Sequence, residues 1–386
     1  MACKLFLLAL CLCGVAVQSF VLRSDNSAAD AQVDTRYVQV DVDGEQYNLN
    51  LQSRQRDVIY STTPVWTVKS GQEGFSFADV TDKSYINGVF YDDAEFMATL
   101  LATYSEDETQ IRYNGVVGVG TKAHTVVSYP EKWWKPVPVP DNDDVEDNSE
   151  SVKEKSEETK EEILKLRSAY VPGEKTGKLE EALSILHPKV LVVVDYTLFE
   201  KLGKDIQKTV KYVATFWSAI DLRYSKLYSP YVKTIGTGIV IVTEAQTGLL
   251  EKARDYFTEE FIKDTEHTNY DSAFVMTASN TKTVQGQSHL GSICNRQYST
   301  AFVEDDASFG GLLTATHELG HLLNLPHDGS DEAESCKVES GDSTTVMAPS
   351  TVDANIVDWS QCSRVILNEF SKTEAAQCLK STYRYE

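Results

Sequence analysis

The chain has 386 residues, of which 41% are apolar, so it can bury the cores of one or two domains and is not disordered throughout. Its formal net charge of -22 would repel nucleic acids and anionic membrane surfaces, which argues against both as partners. Much of this acidity falls in one segment, so the total says less about the rest of the chain.

Residues 1–19 have the pattern of a secretory signal peptide. Lys4 precedes an apolar run from Leu5 to Val17, and Ser19 is a small residue suited to signal-peptidase cleavage. The run is shorter than the roughly 20 apolar residues that cross a bilayer, so a membrane anchor is the weaker interpretation. The sequence therefore predicts a secreted, extracellular protein that has no membrane partner.

Residues 20–140 are predicted to form a small β-rich domain. Strand-favouring stretches separated by Gly, Asp and Asn support this prediction: YVQVDV, YNLNL, GVFYDD and IRYNGVVGVG. Residues 141–186 follow and begin with an acidic run from Asp141 to Glu162, which cannot form a stable core. This segment is predicted to be an exposed linker that a protease can cut, and a regulatory or metal-buffering tail is the alternative.

Residues 187–386 alternate strands and helices, which is typical of an α/β fold with one mixed sheet. A continuous apolar run from Val190 to Tyr196 predicts a buried strand, and helical spacing predicts a long helix from Leu198 to Leu222. Another helix is predicted from Leu249 to Ile262. Further strands are predicted at GIVIVT, SAFVMTA and STAFVED, with VQGQSHLGSIC at the edge of the sheet.

The segment LLTATHELGHLLNLPHDG carries the strongest chemical signal. His317 and His321 lie four residues apart on a predicted amphipathic helix, so both imidazoles project from one face and can hold a metal ion. A catalytic Zn²⁺ takes three protein ligands, and His327 supplies the third if the helix ends sharply before it. Asn324 is placed to end the helix in a left-handed conformation, and Pro326 prevents it from resuming.

Glu318 follows the first predicted zinc ligand and is the candidate catalytic base. It would point to the side of the metal, within reach of the water that attacks the peptide bond. Three of the seven histidines fall in this one segment, which argues against a chance occurrence in an ordinary core helix. The other four show no such spacing: His124, His187, His267 and His289.

The residues HELGHLLNLPHD, with VMAPS at Val346 to Ser350, resemble the metzincin proteases, in which a tight turn carries a Met beneath the zinc. Met347 matches that Met. Asp328, directly after the third His, is similar to the reprolysin (adamalysin) family, which includes snake-venom, ADAM and arthropod venom or salivary metalloproteases. The astacin and serralysin branches match less well, because Pro349 stands where they carry a Tyr ligand. Asn324 replaces the family's Gly without removing a zinc ligand.

The resemblance covers roughly Lys189 to Cys378 and implies a metzincin-like catalytic domain with one catalytic zinc ion. The β-rich region before it, including SYINGVFYDD, looks like a diverged reprolysin propeptide, which implies a proenzyme inhibited by its own propeptide. Many family propeptides hold the zinc with a Cys, but the stretch from Ser19 to Ile293 contains none. Inhibition must therefore be steric or use another donor. Lys165-Leu166-Arg167 is the nearest basic cluster at which the propeptide could be removed.

Four cysteines remain in the predicted mature chain, an even number that suits disulfides in a secreted protein. Four cysteines allow three pairings, and spacing alone does not choose among them. The family pattern implies that Cys294 pairs with Cys378 and Cys336 with Cys362. The family's calcium-binding Glu is replaced near Lys189, and no Asn follows Cys378, which argues against a bound calcium ion.

Together these features predict a secreted, monomeric zinc metalloendopeptidase that cleaves extracellular proteins or peptides. The resemblance further implies a role as a venom or salivary toxin. The substrate is predicted to lie antiparallel to the edge strand at Val284 to Ile293, with a side-chain pocket beside the residues after Met347. Two alternatives stay open: a toxin or binding protein that retains the fold but not the activity, and a peptidase that trims short peptides. The complete set of three histidines and Glu318 favours the endopeptidase over the binding protein.

Overall fold

The computed structural model describes residues 33–42, 44–71, 74–104, 111–119, 122–127, 137–138, 183–245, 269–278, 285–337, 345–349 and 358–380. The predicted signal peptide, the acidic run, the basic cluster at residues 165–167 and the predicted helix from Leu249 to Ile262 lie outside these ranges. Within them, no helix is long and apolar enough to cross a membrane.

The described part of the N-terminal region consists of nine strands and one short 3-10 helix at Thr81–Lys83. The strands are β1 (Thr35–Val42), β2 (Glu45–Ser53), β3 (Val65–Gly71), β4 (Gly74–Asp79), β5 (Val89–Asp93), β6 (Ala98–Tyr104), β7 (Ile111–Val119), β8 (Lys122–Val127) and β9 (Val137–Pro138).

The described residues from Leu183 onward form seven strands, four α-helices and two 3-10 helices. The strands are β10 (Ile185–Leu186), β11 (Lys189–Val194), β12 (Tyr231–Val232), β13 (Ile235–Val242), β14 (Ser272–Thr277), β15 (Gly286–Gln287) and β16 (Thr300–Glu304). The helices are α1 (Tyr196–Lys201), α2 (Ile206–Tyr224), α3 (Leu312–Leu322) and α4 (Gln361–Phe370), with 3-10 helices at Asp331–Cys336 and Glu374–Leu379.

Fourteen of the sixteen described strands form two large sheets, and β10 pairs with β12 in a separate two-stranded sheet. Seven N-terminal strands make an antiparallel sheet in the order β1-β2-β5-β6-β7-β8-β9. The second sheet has the order β15-β16-β14-β11-β13-β3-β4, with parallel pairs in its middle and an antiparallel pair at each edge. The predicted mixed α/β catalytic fold is therefore confirmed. The β3–β4 hairpin, however, comes from the region predicted to be a propeptide.

Strand β11 lies in the middle of the mixed sheet and is covered on both faces, which explains its unbroken apolar sequence. One face packs with α2 and α3 in the main core, and the other packs with Trp66 of β3. The predicted strand to Tyr196 is two residues too long. It ends at Val194 because the Asp195 side chain caps α1 and accepts a hydrogen bond from the backbone N–H of Leu198.

The sequence predicted one helix from Leu198 to Leu222, whereas the structure has α1 and α2 with a turn between them. Gly203 and Lys204 adopt left-handed conformations, with φ of 85° and 57°, and these end α1. Asp205 then caps α2, because its carboxylate accepts a hydrogen bond from the N–H of Lys208. The apolar spacing predicted the helical residues on both sides correctly. The turn at Gly203 and Lys204 was not predicted.

Candidate metal centre

Helix α3 ends where the sequence predicted that it would. Asn324 has φ of +69°, and its N–H donates to the carbonyl of His321 at 2.8 Å. The N–H of Leu325 reaches back to the carbonyl of Gly320 at 2.9 Å, which closes the helix with a left-handed cap. This reversal brings the chain back towards the helix, so that His327 faces the two helical histidines.

The ring nitrogens of the three histidines converge on one point. The Nε2 atom of His327 lies 3.1 Å from Nε2 of His317 and 3.1 Å from Nε2 of His321, and the three donors lie within 4.8 Å of one another. Two imidazole nitrogens bound to one tetrahedral Zn²⁺ at about 2.0–2.1 Å would lie about 3.3–3.4 Å apart. The donor set and its spacing therefore fit one zinc ion.

Two backbone carbonyls orient the helical histidines. Nδ1 of His317 lies 2.6 Å from the carbonyl of Val346, and Nδ1 of His321 lies 2.8 Å from the carbonyl of Leu325. A carbonyl accepts only, so each Nδ1 carries the proton and each Nε2 keeps its lone pair for a metal. Burial lowers the pKa of His317 to about 4, against the opposing effect of its bond to Val346. The ring is neutral near pH 7, as a zinc ligand must be.

Glu318 lies on the same helix, buried next to the edge strand β15. Its carboxylate accepts a hydrogen bond from the hydroxyl of Ser288 at 2.5 Å. Burial raises the pKa of Glu318 to about 7, and the Ser288 bond opposes that rise. A Cβ atom on Gly286 would lie 2.8 Å from Glu318 Oε1, so the strand can approach this carboxylate only with glycine there.

The sequence analysis did not single out Ser288 or Gly286. A serine and a glycine in a short polar stretch carry no pattern that marks them as neighbours of a carboxylate on a distant helix. The same stretch was predicted to run along the sheet edge as far as Ile293, but β15 covers only Gly286–Gln287. It leaves the sheet because the N–H groups of Gly291 and Ile293 bond to the carbonyls at the end of α3.

Met347, the residue that matches the family's Met, lies buried against α3. A Cβ atom on Gly320 would lie 2.6 Å from the sulfur of Met347, so glycine at that helix position makes room for the methionine. Asp328 holds this turn in place: its N–H donates to the carbonyl of Met347, and its carboxylate accepts from the hydroxyls of Thr345 and Ser360. Asp328 was recognisable in the sequence only as a family marker, and this structural role was not predicted.

Two disulfides lie around the site, in the pairing that the resemblance implied. Cys294, which follows the edge segment, is bonded to Cys378 in the C-terminal 3-10 helix. Cys336 is bonded to Cys362 at the start of α4. The first disulfide closes a loop across 84 residues and the second across 26. Both are in the half of the chain that carries the histidines.

A buried ammonium lies where the resemblance would place a calcium ion. Nζ of Lys189 is 3.1 Å from a carboxylate oxygen of Asp271 and 3.2 Å from the carbonyl oxygen of Cys378. The two side chains are only 11% and 5% exposed. Burial raises the pKa of Asp271 to about 6, and the charge of Lys189 opposes that rise. A divalent cation placed among these oxygens would be repelled by the ammonium.

Comparison with known proteins gives consistent matches over this region. A family model described as reprolysin (M12B) family zinc metalloprotease matches residues 188–382. Venom metalloproteinase 3 from Eulophus pennicornis is 31% identical over 90% of this chain and 87% of its own length. Venom metalloproteinases 2 and 1 from the same organism are 30% and 27% identical, over 76% and 90% of this chain and 74% and 83% of their own lengths. The similarity thus extends into the N-terminal region.

Proposed function

Because the chain belongs to the reprolysin (M12B) family of zinc metalloproteases, we propose that it acts outside the cell on extended segments of other proteins. The chain is a zinc metalloendopeptidase with a histidine site for one zinc ion. The observation that carries the proposal is the convergence of His317, His321 and His327 beside the buried carboxylate of Glu318. We propose both the extracellular action and the roles of the individual residues.

In the proposed mechanism, a zinc ion and a general base have separate roles. Zinc held by the three histidines would act as a Lewis acid that polarises the scissile carbonyl and makes water more acidic. Glu318 accepts a proton from the attacking water and passes it to the leaving nitrogen. The Ser288 hydroxyl orients the carboxylate. The carbonyls of Val346 and Leu325 keep the helical imidazoles aimed at the metal.

The substrate is proposed to lie in an extended conformation along the outer side of β15. Among the described strands it pairs with β16 alone and lies at one edge of the mixed sheet, so a peptide can add to its outer side by backbone hydrogen bonds. Gly286 in this strand lies next to Glu318, which would bring a bound peptide close to the base. A pocket beside the residues after Met347 is proposed to take one substrate side chain.

Three observations support secretion and a venom role. The chain begins with the pattern of a signal peptide, and its catalytic half contains two disulfides, which form in oxidising compartments. The Eulophus relatives are named venom metalloproteinases, and the similarity covers most of this chain. We therefore extend the venom role to this protein as a hypothesis.

Latency through the N-terminal region is also part of the proposal. A thiol cannot hold the zinc of the proenzyme, because the sequence has no Cys between Ser19 and Ile293. A steric block, relieved by cleavage near Lys165-Leu166-Arg167, is proposed instead. Sequencing the N-terminus of the mature chain that carries His317 tests this: a first residue upstream of Asp141 would reject it.

Activity is tested with purified mature protein, a chelator and two variants. The wild type should cleave a denatured protein, and both a chelator and Glu318→Ala should abolish cleavage. Glu318→Ala should still bind one zinc ion, because Glu318 is not among the three ligands. Replacing exposed Glu332 by Ala is the matched control and should leave cleavage unchanged.

The outcomes separate the proposal from its alternatives. Cleavage that persists in Glu318→Ala or with a chelator would refute the mechanism. A zinc-loaded wild type that cleaves nothing would favour a binding protein that only retains the fold. Cleavage of dipeptides but not of proteins would favour a trimming peptidase.

A further inference from the structure

Strands β3 and β4 of the N-terminal region form one edge of the mixed sheet. Strand β3 pairs in parallel with β13, with Val65 to Val68 in register with Ile239 to Val242. Backbone N–H groups of Ile239 and Thr243 donate to the carbonyls of Pro64 and Val68, at 2.9 and 3.1 Å. The β3–β4 hairpin therefore lies at the edge opposite to β15, where the substrate is proposed to bind.

Two glycines of the catalytic half leave room for side chains of this N-terminal segment. Gly236 and Gly238 lie in β13, and glycine inside a strand normally weakens it. A Cβ atom on Gly236 would lie 2.5 Å from a side-chain carbon of Ile59, and one on Gly238 would lie 2.7 Å from the ring of Trp66. Both N-terminal side chains are buried. The two glycines are therefore explained by the N-terminal side chains that pack over them.

Buried ion pairs join the two halves next to this strand. A guanidinium nitrogen of Arg54 is 3.1 Å from the carboxylate of Asp221 on α2, and its Nε is 2.5 Å from Asp92 of the N-terminal sheet. Arg56 also contacts Asp221 at 3.1 Å and donates to the carbonyl of Thr234 at 2.7 Å. The side chains of Arg54, Arg56 and Asp221 are 7%, 17% and 12% exposed. These pairs place opposite charges on the two halves where they meet, which fixes how the halves align.

The N-terminal antiparallel sheet adds an apolar contact. Its strands β6 and β7 pack against α2, and Leu101 and Val116 are fully buried in the same core cluster as Val213 and Phe216 of that helix. The main core is thus built from both halves of the chain. Exposing it on separation would be opposed by the hydrophobic effect.

We infer that residues 34–127 are a permanent subunit of the protease, which stays bound to the catalytic half after the linker is cut. The association is non-covalent, since the sequence from Ser19 to Ile293 has no Cys. The shared sheet, the filled glycine positions and the common core each oppose release, and the ion pairs fix the alignment of the two halves. Cleavage of the linker then yields a two-chain enzyme, in which this subunit lies at the sheet edge opposite to β15, so its retention is compatible with the loss of a steric block at the active site. The inference does not depend on the catalytic role proposed above.

The test uses the full chain with the Glu318→Ala substitution, which prevents self-cleavage. A recognition sequence for a site-specific protease is inserted after Asn148, in the acidic run, and a purification tag is added at the C-terminus. After the cut, the tagged catalytic fragment is immobilised and washed overnight in native buffer. The N-terminal fragment should remain bound and should elute only with denaturant. Its loss in native buffer would overturn the inference.

A variant measures what the ion pairs contribute. In the same cut protein, Arg54→Gln together with Arg56→Gln should weaken retention by at least about 100-fold, because both leave Asp221 buried without a partner charge. Lys204→Gln removes an exposed pair with Glu200 and a contact with the Tyr196 ring, both within the catalytic half, and should retain the fragment as the parent does. Equal retention by the double variant and this control would contradict the claim that the ion pairs with Asp221 contribute to retention. If the double variant does not fold, the result with the parent protein still decides the inference.

Discussion

Replacing Lys189 by Ala should destabilise the catalytic half strongly at pH 7 and less at pH 5. The ammonium of Lys189 is the partner of a buried Asp271 carboxylate, and both side chains are almost fully covered. Removing one member of a buried ion pair costs about 3–5 kcal/mol, because the other charge stays buried and unpaired. For 150–250 residues each kcal/mol shifts Tm by about 2–4 °C, so the expected decrease is about 6–20 °C.

The pH dependence follows from the carboxylate. The folded-state pKa of Asp271 is raised to about 6, above the ordinary value of 3.8, so its ionised form costs stability at pH 7. Loss of Lys189 removes an effect that lowers this pKa, so the pKa of Asp271 rises further in the variant. As the pH falls through this further raised pKa, the carboxylate of the variant takes up a proton and the unpaired charge disappears. The difference in Tm between variant and wild type should therefore shrink.

Scanning calorimetry with and without calcium gives the measurement. Calcium should not change the Tm of the wild type, because the ammonium already fills the space among the oxygens. Lys189→Glu would place a second carboxylate beside Asp271 and the carbonyl of Cys378, so its Tm should rise with added calcium. Lys189→Met with Asp271→Asn removes both charges and should lose less than Lys189→Ala. An unchanged Tm for Lys189→Ala at pH 7, or a calcium effect on the wild type, would refute the reasoning.

Three further substitutions test the metal centre. Asn324→Gly should raise the free energy of unfolding by up to about 1 kcal/mol, measured in urea, because φ of +69° suits glycine better; a loss would show that the Asn side chain contributes more. Ser288→Ala should keep the zinc but move the acid limb of the kcat/KM profile to higher pH, since the hydroxyl lowers the pKa of Glu318; an unmoved limb would contradict this. Gly286→Ala should displace Glu318 and reduce kcat by about 100-fold at unchanged zinc content, and full activity would contradict the crowding around Gly286.

The sequence predicted the features that depend on local pattern. The spacing of His317, His321 and His327, and the left-handed Asn324, follow from helix geometry and turn chemistry, which act over a few residues. The buried strand β11 follows from its apolar run. These signals are carried by the chain segment itself, so no long-range contact is needed to read them.

The features that the sequence did not reveal depend on contacts between distant segments. The pairing of β3 with β13 joins residues more than 170 positions apart, and nothing in VWTVKSG indicates which sheet the strand enters. The bond between Ser288 and Glu318, and the bonds of Asp328 to Thr345 and Ser360, likewise appear only when loops are brought together. Apolar spacing from Leu198 to Leu222 continued across a turn, so periodicity alone concealed the break between α1 and α2.

The parallel pairing of β3 with β13 also bears on how copies of this protein meet. The hairpin is connected to the rest of the sheet through residues 139–182, so a hairpin from one copy can complete the sheet of another, giving a domain-swapped dimer. An intact tether keeps the local concentration of a copy's own hairpin high and favours the closed monomer. Once the tether is cut, that advantage is lost, and only the contacts of the N-terminal subunit with its own catalytic half oppose exchange between copies.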